Sequence, residues 1–127
     1  MKTILVDAIK AFVIEGEGIL KEMYDLLESF PNRKIILTGA NDVQFKKFGL
    51  DKMPYDVFTL RHNPEKSESE YYKKMLAHYG LRNDNVIYFE NNIDAVRSAR
   101  SVGIRTHHYD PERKDLVALE KFLVENI

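Results

Sequence analysis

The chain has 127 residues, 44% hydrophobic and 31% charged, and its 19 Lys and Arg against 20 Asp and Glu leave a net charge of −1. That length suits one domain with a core of its own, and the near-neutral charge lacks the basic surplus of a nucleic-acid footprint. The absence of cysteine excludes a disulfide framework, a thiolate zinc site and a cysteine nucleophile.

The elements are read in chain order. The apolar start from Met1 to Ile14 is interrupted by Asp7 and Lys10 and lacks a small-residue cleavage site, so it does not read as a secretory leader. No apolar run approaches the roughly 20 residues of a membrane span. The expectation is a soluble, cytoplasmic protein. Thr3–Val6 is a short, nearly all-apolar run, the pattern of a strand buried on both faces of a parallel sheet. Ile19, Leu20, Met23, Leu26, Leu27 and Phe30 then fall on one helical stripe. Lys34–Leu37 is the second strand, and Asn41–Phe48 a short helix stopped by Gly49. Leu50–Tyr55 reads as irregular, and Val57–Leu60 as the third strand.

Tyr71, Tyr72, Met75, Leu76 and Tyr79 form the next helical stripe. Ser67 and Glu70 precede it in capping-box register, and Gly80 stops it. Val86–Phe89 is the fourth strand. Ile93, Val96, Ala99 and Val102 make a helix closed by Gly103, and Ile104–His107 is a weaker strand nearer an edge. Asp110-Pro111 opens the last helix as cap and first turn. Strands alternating with helices predict a doubly wound, three-layer α/β sandwich with a mostly parallel five-stranded sheet. Residues 1–127 form one domain, with ligands at the carboxyl ends of the strands.

Those ends carry Asp7, Thr38-Gly39 and Glu90-Asn91, with Lys66 ahead of the helix that precedes strand four. Singly each has an ordinary reading. Asp7 is a turn former, Thr38 a strand end, Lys66 a solvated charge among Glu65, Glu68 and Glu70, and Glu90-Asn91 a turn and cap. Together an acid, a hydroxyl, an ammonium and a second acid suit a phosphoryl group and a divalent cation. The seven tyrosines read as core, most falling on helical stripes.

The order Asp, Thr-Gly, Lys, acidic pair resembles the four motifs of the haloacid dehalogenase-like hydrolases. It is most specific over Lys66–Gly103, where Phe89-Glu90-Asn91 is similar to the Phe-Glu-Asp of the phosphatase and phosphoglucomutase branch. The resemblance implies Asp7 as the nucleophile forming an aspartyl-phosphate. Thr38, Gly39 and Lys66 would hold the phosphoryl group. Asp7, the main-chain carbonyl of Ile9, Glu90 and Asn91 would hold Mg²⁺. It also implies a flap after the nucleophile, around Lys10–Ile14 with Gly16 and Gly18.

The sequence departs from that pattern at two places. Ile9 stands where the family's second Asp protonates the leaving group, and its loss removes about 10²–10⁴ in rate. Asn91 takes a charge from the cation site. Glu15, Glu17 and His62 are candidate replacement acids, each more simply a surface residue. The stretches between Asp7 and Thr38, and between Thr38 and Lys66, are too short for a cap domain of at least about 50 residues. A capless site would be open to large substrates. Dehalogenase chemistry, which needs a cap arginine, is disfavoured. So is a phosphoacceptor receiver, whose acceptor Asp follows strand three. Two functions stay open. One is a weak Mg²⁺-dependent phosphatase acting on a phosphorylated small molecule or protein, the other an impaired relative that binds such a ligand. Neither nucleic acid nor membrane is an expected partner.

Overall fold

Runs of apolar residues too short for helices pair as strands in the computed structural model, which describes all residues from Met1 to Ile127. The chain begins with β1 (Thr3–Asp7), the hairpin β2 (Val13–Ile14) and β3 (Gly18–Ile19), and α1 (Lys21–Glu28). β4 (Lys34–Thr38), α2 (Asp42–Lys47), β5 (Asp56–Thr59) and α3 (Ser69–Tyr79) follow. β6 (Val86–Glu90), α4 (Ile93–Ser101), β7 (Arg105–His108) and α5 (Leu116–Asn126) complete the order.

The main sheet has five strands in the order β5-β4-β1-β6-β7. All four pairings are parallel. Every residue of the central strand β1 is buried, as its unbroken apolar run requires. Val6 lies opposite Ile36 on one side and Phe89 on the other. Alternate side chains then feed two cores. Ile4, Val6, Ile36, Ile87 and Phe89 pack with Met23 and Leu27 of α1 and Leu119 and Leu123 of α5. Leu5, Ile35, Leu37 and Tyr88 pack with Tyr71, Tyr72 and Met75 of α3 and Ala99 of α4. The result is the expected three-layer sandwich, and truncating one of these central side chains to Ala costs about 2–5 kcal/mol. No helix is long and apolar enough to cross a membrane. Between Asp7 and Thr38 the chain holds only the hairpin and α1, and between Thr38 and Lys66 only α2, a short turn and β5. There is no cap.

Several local expectations are corrected. Ile19 belongs to the hairpin, so α1 starts at Lys21. Leu50–Lys52 is a 3₁₀ turn with Leu50 buried, within the stretch read as irregular. β5 ends at Thr59, one residue before the expected Leu60, and β7 runs from Arg105 to His108. The Ser67–Glu70 capping box does not form. Glu68 precedes α3 without a side-chain cap, and its carboxylate instead accepts from the Glu65 N–H at 2.8 Å. The Ser67 carbonyl accepts from the Ser98 hydroxyl.

The last helix begins five residues later than Asp110-Pro111 suggested. Asp110 spends its side chain on the Glu112 N–H at 2.9 Å, forming a local turn. Lys114 is left-handed with φ 49°, which no helix interior accommodates. Asp115 then caps α5 by accepting from the Ala118 N–H at 2.9 Å. A capping box does close α2, where Asn41 and Gln44 exchange side-chain bonds with each other's N–H. Gly80 ends α3 at φ 64°, a conformation that costs a side-chain-bearing residue about 1–2 kcal/mol.

Candidate active site

The carboxyl ends of β1, β4 and β6 lie side by side, and each ends on one buried polar side chain. Asp7 is the last residue of β1, Thr38 of β4 and Glu90 of β6, each 2% exposed. Immediately after Asp7 the chain turns tightly, the Ala8 carbonyl accepting from the N–H groups of Phe12 at 2.9 Å and Val13 at 3.0 Å. Lys10 takes φ 72° in this turn, and the turn continues into the β2–β3 hairpin expected as a flap.

Lys66 comes from the loop ahead of α3. That loop is anchored because the Tyr71 hydroxyl donates to the carbonyls of Thr38 at 2.7 Å and Phe58 at 3.2 Å, tying the start of α3 to the ends of β4 and β5. The Lys66 ammonium donates to Asp7 Oδ1 at 2.8 Å and to the Leu37 carbonyl at 3.2 Å. It also lies 2.5 Å from Glu90 Oε1. One cation therefore bridges two carboxylates drawn from separate strands.

Glu90 is engaged on both oxygens. Oε1 accepts from the Tyr88 hydroxyl as well as facing Lys66, and Oε2 accepts from the Asn92 N–H at 2.9 Å. Asn92 in turn caps α4 by accepting from the N–H groups of Asp94 at 2.9 Å and Ala95 at 3.1 Å. Asp7 Oδ2 accepts from the Asn91 main-chain N–H at 3.0 Å and from the Asn91 side-chain amide. The same amide nitrogen donates to the Ile9 carbonyl at 3.1 Å. Thr38 Oγ1 accepts from the Ala40 N–H at 3.1 Å, which leaves its own proton to donate.

Two buried carboxylates around one ammonium cannot both be fully compensated. Burial, then the Glu90 charge, push the Asp7 carboxyl up to about 7, with Lys66 opposing them. Burial raises Glu90 too, but Lys66, the Tyr88 hydroxyl and the Asn92 N–H more than reverse this and hold it below the usual range. Burial would lower the Lys66 ammonium, yet Asp7 and Glu90 leave it well above its ordinary value. The ammonium also stands 5.9 Å from the centre of the Tyr88 ring.

An open cavity of about 300 Å³ lies over this cluster, and Asp7, Ile9, Thr38, Gly39, Lys66, Glu90 and Asn91 all line it. Sequence reasoning named these seven. His62, read as a surface residue, is exposed and also lines the cavity, its ring reaching Glu65 at 3.0 Å and Gln44 at 2.6 Å. The helical cap on Gln44 was a visible signal, but the 18-residue reach between Gln44 and His62 was not. Tyr88 was read only as strand core. Its period-two relation to Glu90 was the available clue. Glu15 pairs with Lys47 at 3.1 Å outside the cavity lining, and Glu17 is exposed.

No family model matches the chain, and no curated protein matches it. Solved structures do. A HAD family enzyme from Bacteroides thetaiotaomicron superposes with a TM-score of 0.76 at 12% identity, over 94% of this chain and 98% of that one. The same enzyme in complex with magnesium and inorganic phosphate gives 0.72 at 11% identity, over 87% and 95%. The core domain of a candidate phosphoglycolate phosphatase from Streptococcus pneumoniae gives 0.61 at 16% identity, over 97% and 95%. At these identities the likeness is one of fold: a capless haloacid dehalogenase-like α/β core.

Proposed function

We propose that this haloacid dehalogenase-like fold carries a slow, Mg²⁺-dependent phosphatase acting through an aspartyl-phosphate on Asp7. The observation that carries the reading is the bridge from one Lys66 ammonium to buried Asp7 and Glu90 at the carboxyl end of the sheet. An Asp7 carboxylate oxygen attacks phosphorus, the bond from phosphorus to the leaving group breaks, and the phosphoryl group stays on Asp7. Thr38 donates its free hydroxyl proton to a phosphoryl oxygen, and Lys66 offsets the incoming negative charge. Water then attacks phosphorus, inorganic phosphate departs and Asp7 is restored.

Ile9 supplies no proton to the leaving group and takes none from water, which accounts for the expected slowness of about 10²–10⁴. Substrates whose leaving groups need no protonation, acyl phosphates above all, are favoured. Mg²⁺ fits because Asp7 Oδ2 and the Ile9 carbonyl converge on one point. Asn91 can add a third oxygen there once its amide is turned, with waters completing the shell. When bound, the ion would neutralise charge on the phosphoryl oxygens. Glu90, expected among the cation ligands, has both oxygens engaged by Lys66, Tyr88 and Asn92, and in this reading it acts from one step further out, setting the position of Lys66.

The test is phosphate release by purified protein with Mg²⁺ from a panel of acyl and aryl phosphates, against Asp7→Asn. Slow release lost in the variant is expected, and equal release by both proteins would remove the proposal. Ile9 and the amide of Asn91 favour a second reading, in which the cavity binds a phosphorylated small molecule or protein and does not turn it over. Ligand retention in the same assay, without Asp7-dependent release, would select it.

A further inference from the structure

Where Asp7 Oδ2 and the Ile9 carbonyl converge, a nitrogen already stands. The Asn91 side-chain amide donates one hydrogen to Asp7 Oδ2 and the other, at 3.1 Å, to the Ile9 carbonyl. Its neighbours determine which way round the amide sits. The Ile9 carbonyl can only accept, and Asp7 Oδ2 already accepts from the Asn91 main-chain N–H at 3.0 Å. With the amide reversed, three oxygens would crowd one point with no hydrogen between them. The NH₂ group thus meets the two acceptors that a cation would meet.

We infer that Asn91 is a resident substitute for the divalent cation, holding Asp7 and Ile9 together in the metal-free protein and turning away before an ion can enter. The inference deepens the Asp7-centred reading and rests on it only for the place of the ion. Asp7 is the single carboxylate aimed at that point, because both oxygens of Glu90 are committed to Lys66, Tyr88 and Asn92. An entering Mg²⁺ breaks two N–H···O bonds and meets one negative charge already paired with an ammonium. It also sheds water reluctantly. Occupancy of the wild-type point is therefore low.

Asn91→Asp changes the sign of the arrangement with almost no change of shape. The two donated bonds become oxygen–oxygen contacts that a divalent ion relieves, and a second formal charge faces it. One added charge at contact distance in a partly buried site is enough for tenfold or more in affinity.

The experiment titrates Mg²⁺ and Mn²⁺ into the wild type, Asn91→Asp and the double variant Asp7→Asn with Asn91→Asp. Calorimetry, Mn²⁺ paramagnetic resonance and thermal melting follow the binding. Asn91→Asp is expected to bind at least about tenfold more tightly than wild type. It should melt below wild type in EDTA and recover with Mg²⁺, and the double variant should lose that gain. In ¹H–¹⁵N spectra of the wild type, the Asn91 side-chain NH₂ should lie away from solvent-exposed positions and stay there at micromolar Mg²⁺.

Saturation of the wild type by micromolar Mg²⁺ overturns the inference, as does a folded Asn91→Asp variant with no gain. If Asn91→Asp fails to fold, the wild-type spectrum decides. A solvent-like Asn91 NH₂, or one displaced by micromolar Mg²⁺, then overturns it. None of these readings involves phosphate release, so this inference and the phosphatase proposal fail separately.

Discussion

The two sides of the cavity are built differently. On the phosphoryl side, Thr38 and Lys66 are tied to main-chain atoms: Thr38 Oγ1 to the Ala40 N–H, Lys66 to the Leu37 carbonyl. On the cation side, Asp7, Glu90 and Asn91 also reach main-chain atoms, but each carboxylate depends besides on side chains: Lys66 for both, the Asn91 amide for Asp7 and the Tyr88 hydroxyl for Glu90. A group held by the main chain keeps its place as long as the fold persists. A group held by other polar side chains keeps its place only while each partner keeps its charge or proton. Thr38 is thus the more permanently placed, and the cluster of Lys66, Asp7, Glu90 and Asn91 is where one substitution reorganises the site.

The largest effect should come from the residue shared by both sides. Lys66→Met removes the only ammonium within reach of Asp7 and Glu90 and leaves two buried carboxylates facing one another. Breaking a buried pair from one side costs about 3–5 kcal/mol. Urea unfolding at neutral pH measures it. Without Lys66 the folded state holds protons on these acids more tightly than the unfolded chain does, so the deficit should shrink as pH falls toward 5. A deficit independent of pH would mean that lost packing, and not uncompensated charge, destabilises the variant.

Asp7→Asn should show the opposite dependence on pH. The folded-state carboxyl titrates at about 7, above its ordinary 3.8, so the folded protein holds the proton more tightly than the unfolded chain. Its contribution is fully present below the unfolded value and is lost as pH rises through about 7. In EDTA the variant carries no such charge, so its stability relative to wild type should improve as pH rises from 5 to 8, on top of a pH-independent cost because its amide NH₂ must face the Lys66 or Asn91 donors. Melts across that range check the slope. A catalytic carboxylate that strains its own fold would set the cation side apart from the rest of the sheet.

Thr38→Val tests the phosphoryl side. The shape is kept, but the buried Ala40 N–H loses its acceptor at 3.1 Å. An orphaned buried donor costs about 1–3 kcal/mol. The loss should be the same at every pH between 5 and 8, because no charge is involved. Beryllofluoride, which stands in for a phosphoryl group on Asp7, should bind more weakly. Equal binding by both proteins would remove Thr38 from the phosphoryl site.

How much of this was legible in the sequence follows the same division. Four of the five strands were readable as short apolar runs and β7, Arg-Thr-His-His, only as a weaker one, and their alternation with helical stripes led to the layered sheet. Convergence of Asp7, Thr38 and Glu90 then followed, since the ends of neighbouring parallel strands must meet. Helix starts were harder. Asp110 and Asp115 are both good caps, and only the left-handed Lys114 between them decides for the second. Ser67 lies one residue ahead of Glu68, which takes the N-cap position, and its carbonyl is held by the Ser98 hydroxyl, a contact 31 residues away. The orientation of the Asn91 amide was not readable at all, because it depends on a carbonyl 82 residues earlier in the chain.

The smallest expected effect comes from Tyr88→Phe. Tyr88 is fully buried and its hydroxyl donates to Glu90 Oε1, where Lys66 also lies. Removing the hydroxyl deletes one of several groups that hold Glu90 below the usual carboxylate range, and Lys66 and the Asn92 N–H remain. A loss of about 1 kcal/mol is expected. Its sign with pH follows from the linkage. Glu90, depressed in the folded state, stabilises above its unfolded value and loses that contribution as pH falls. Tyr88→Phe narrows that depression, so its cost should be greatest at neutral pH and smaller under acid. Denaturant melts at pH 7 and pH 4 make the comparison. A cost that grows toward acid would mean that Tyr88 steadies the neutral acid, and Glu90 would then not be the depressed carboxylate beside Lys66.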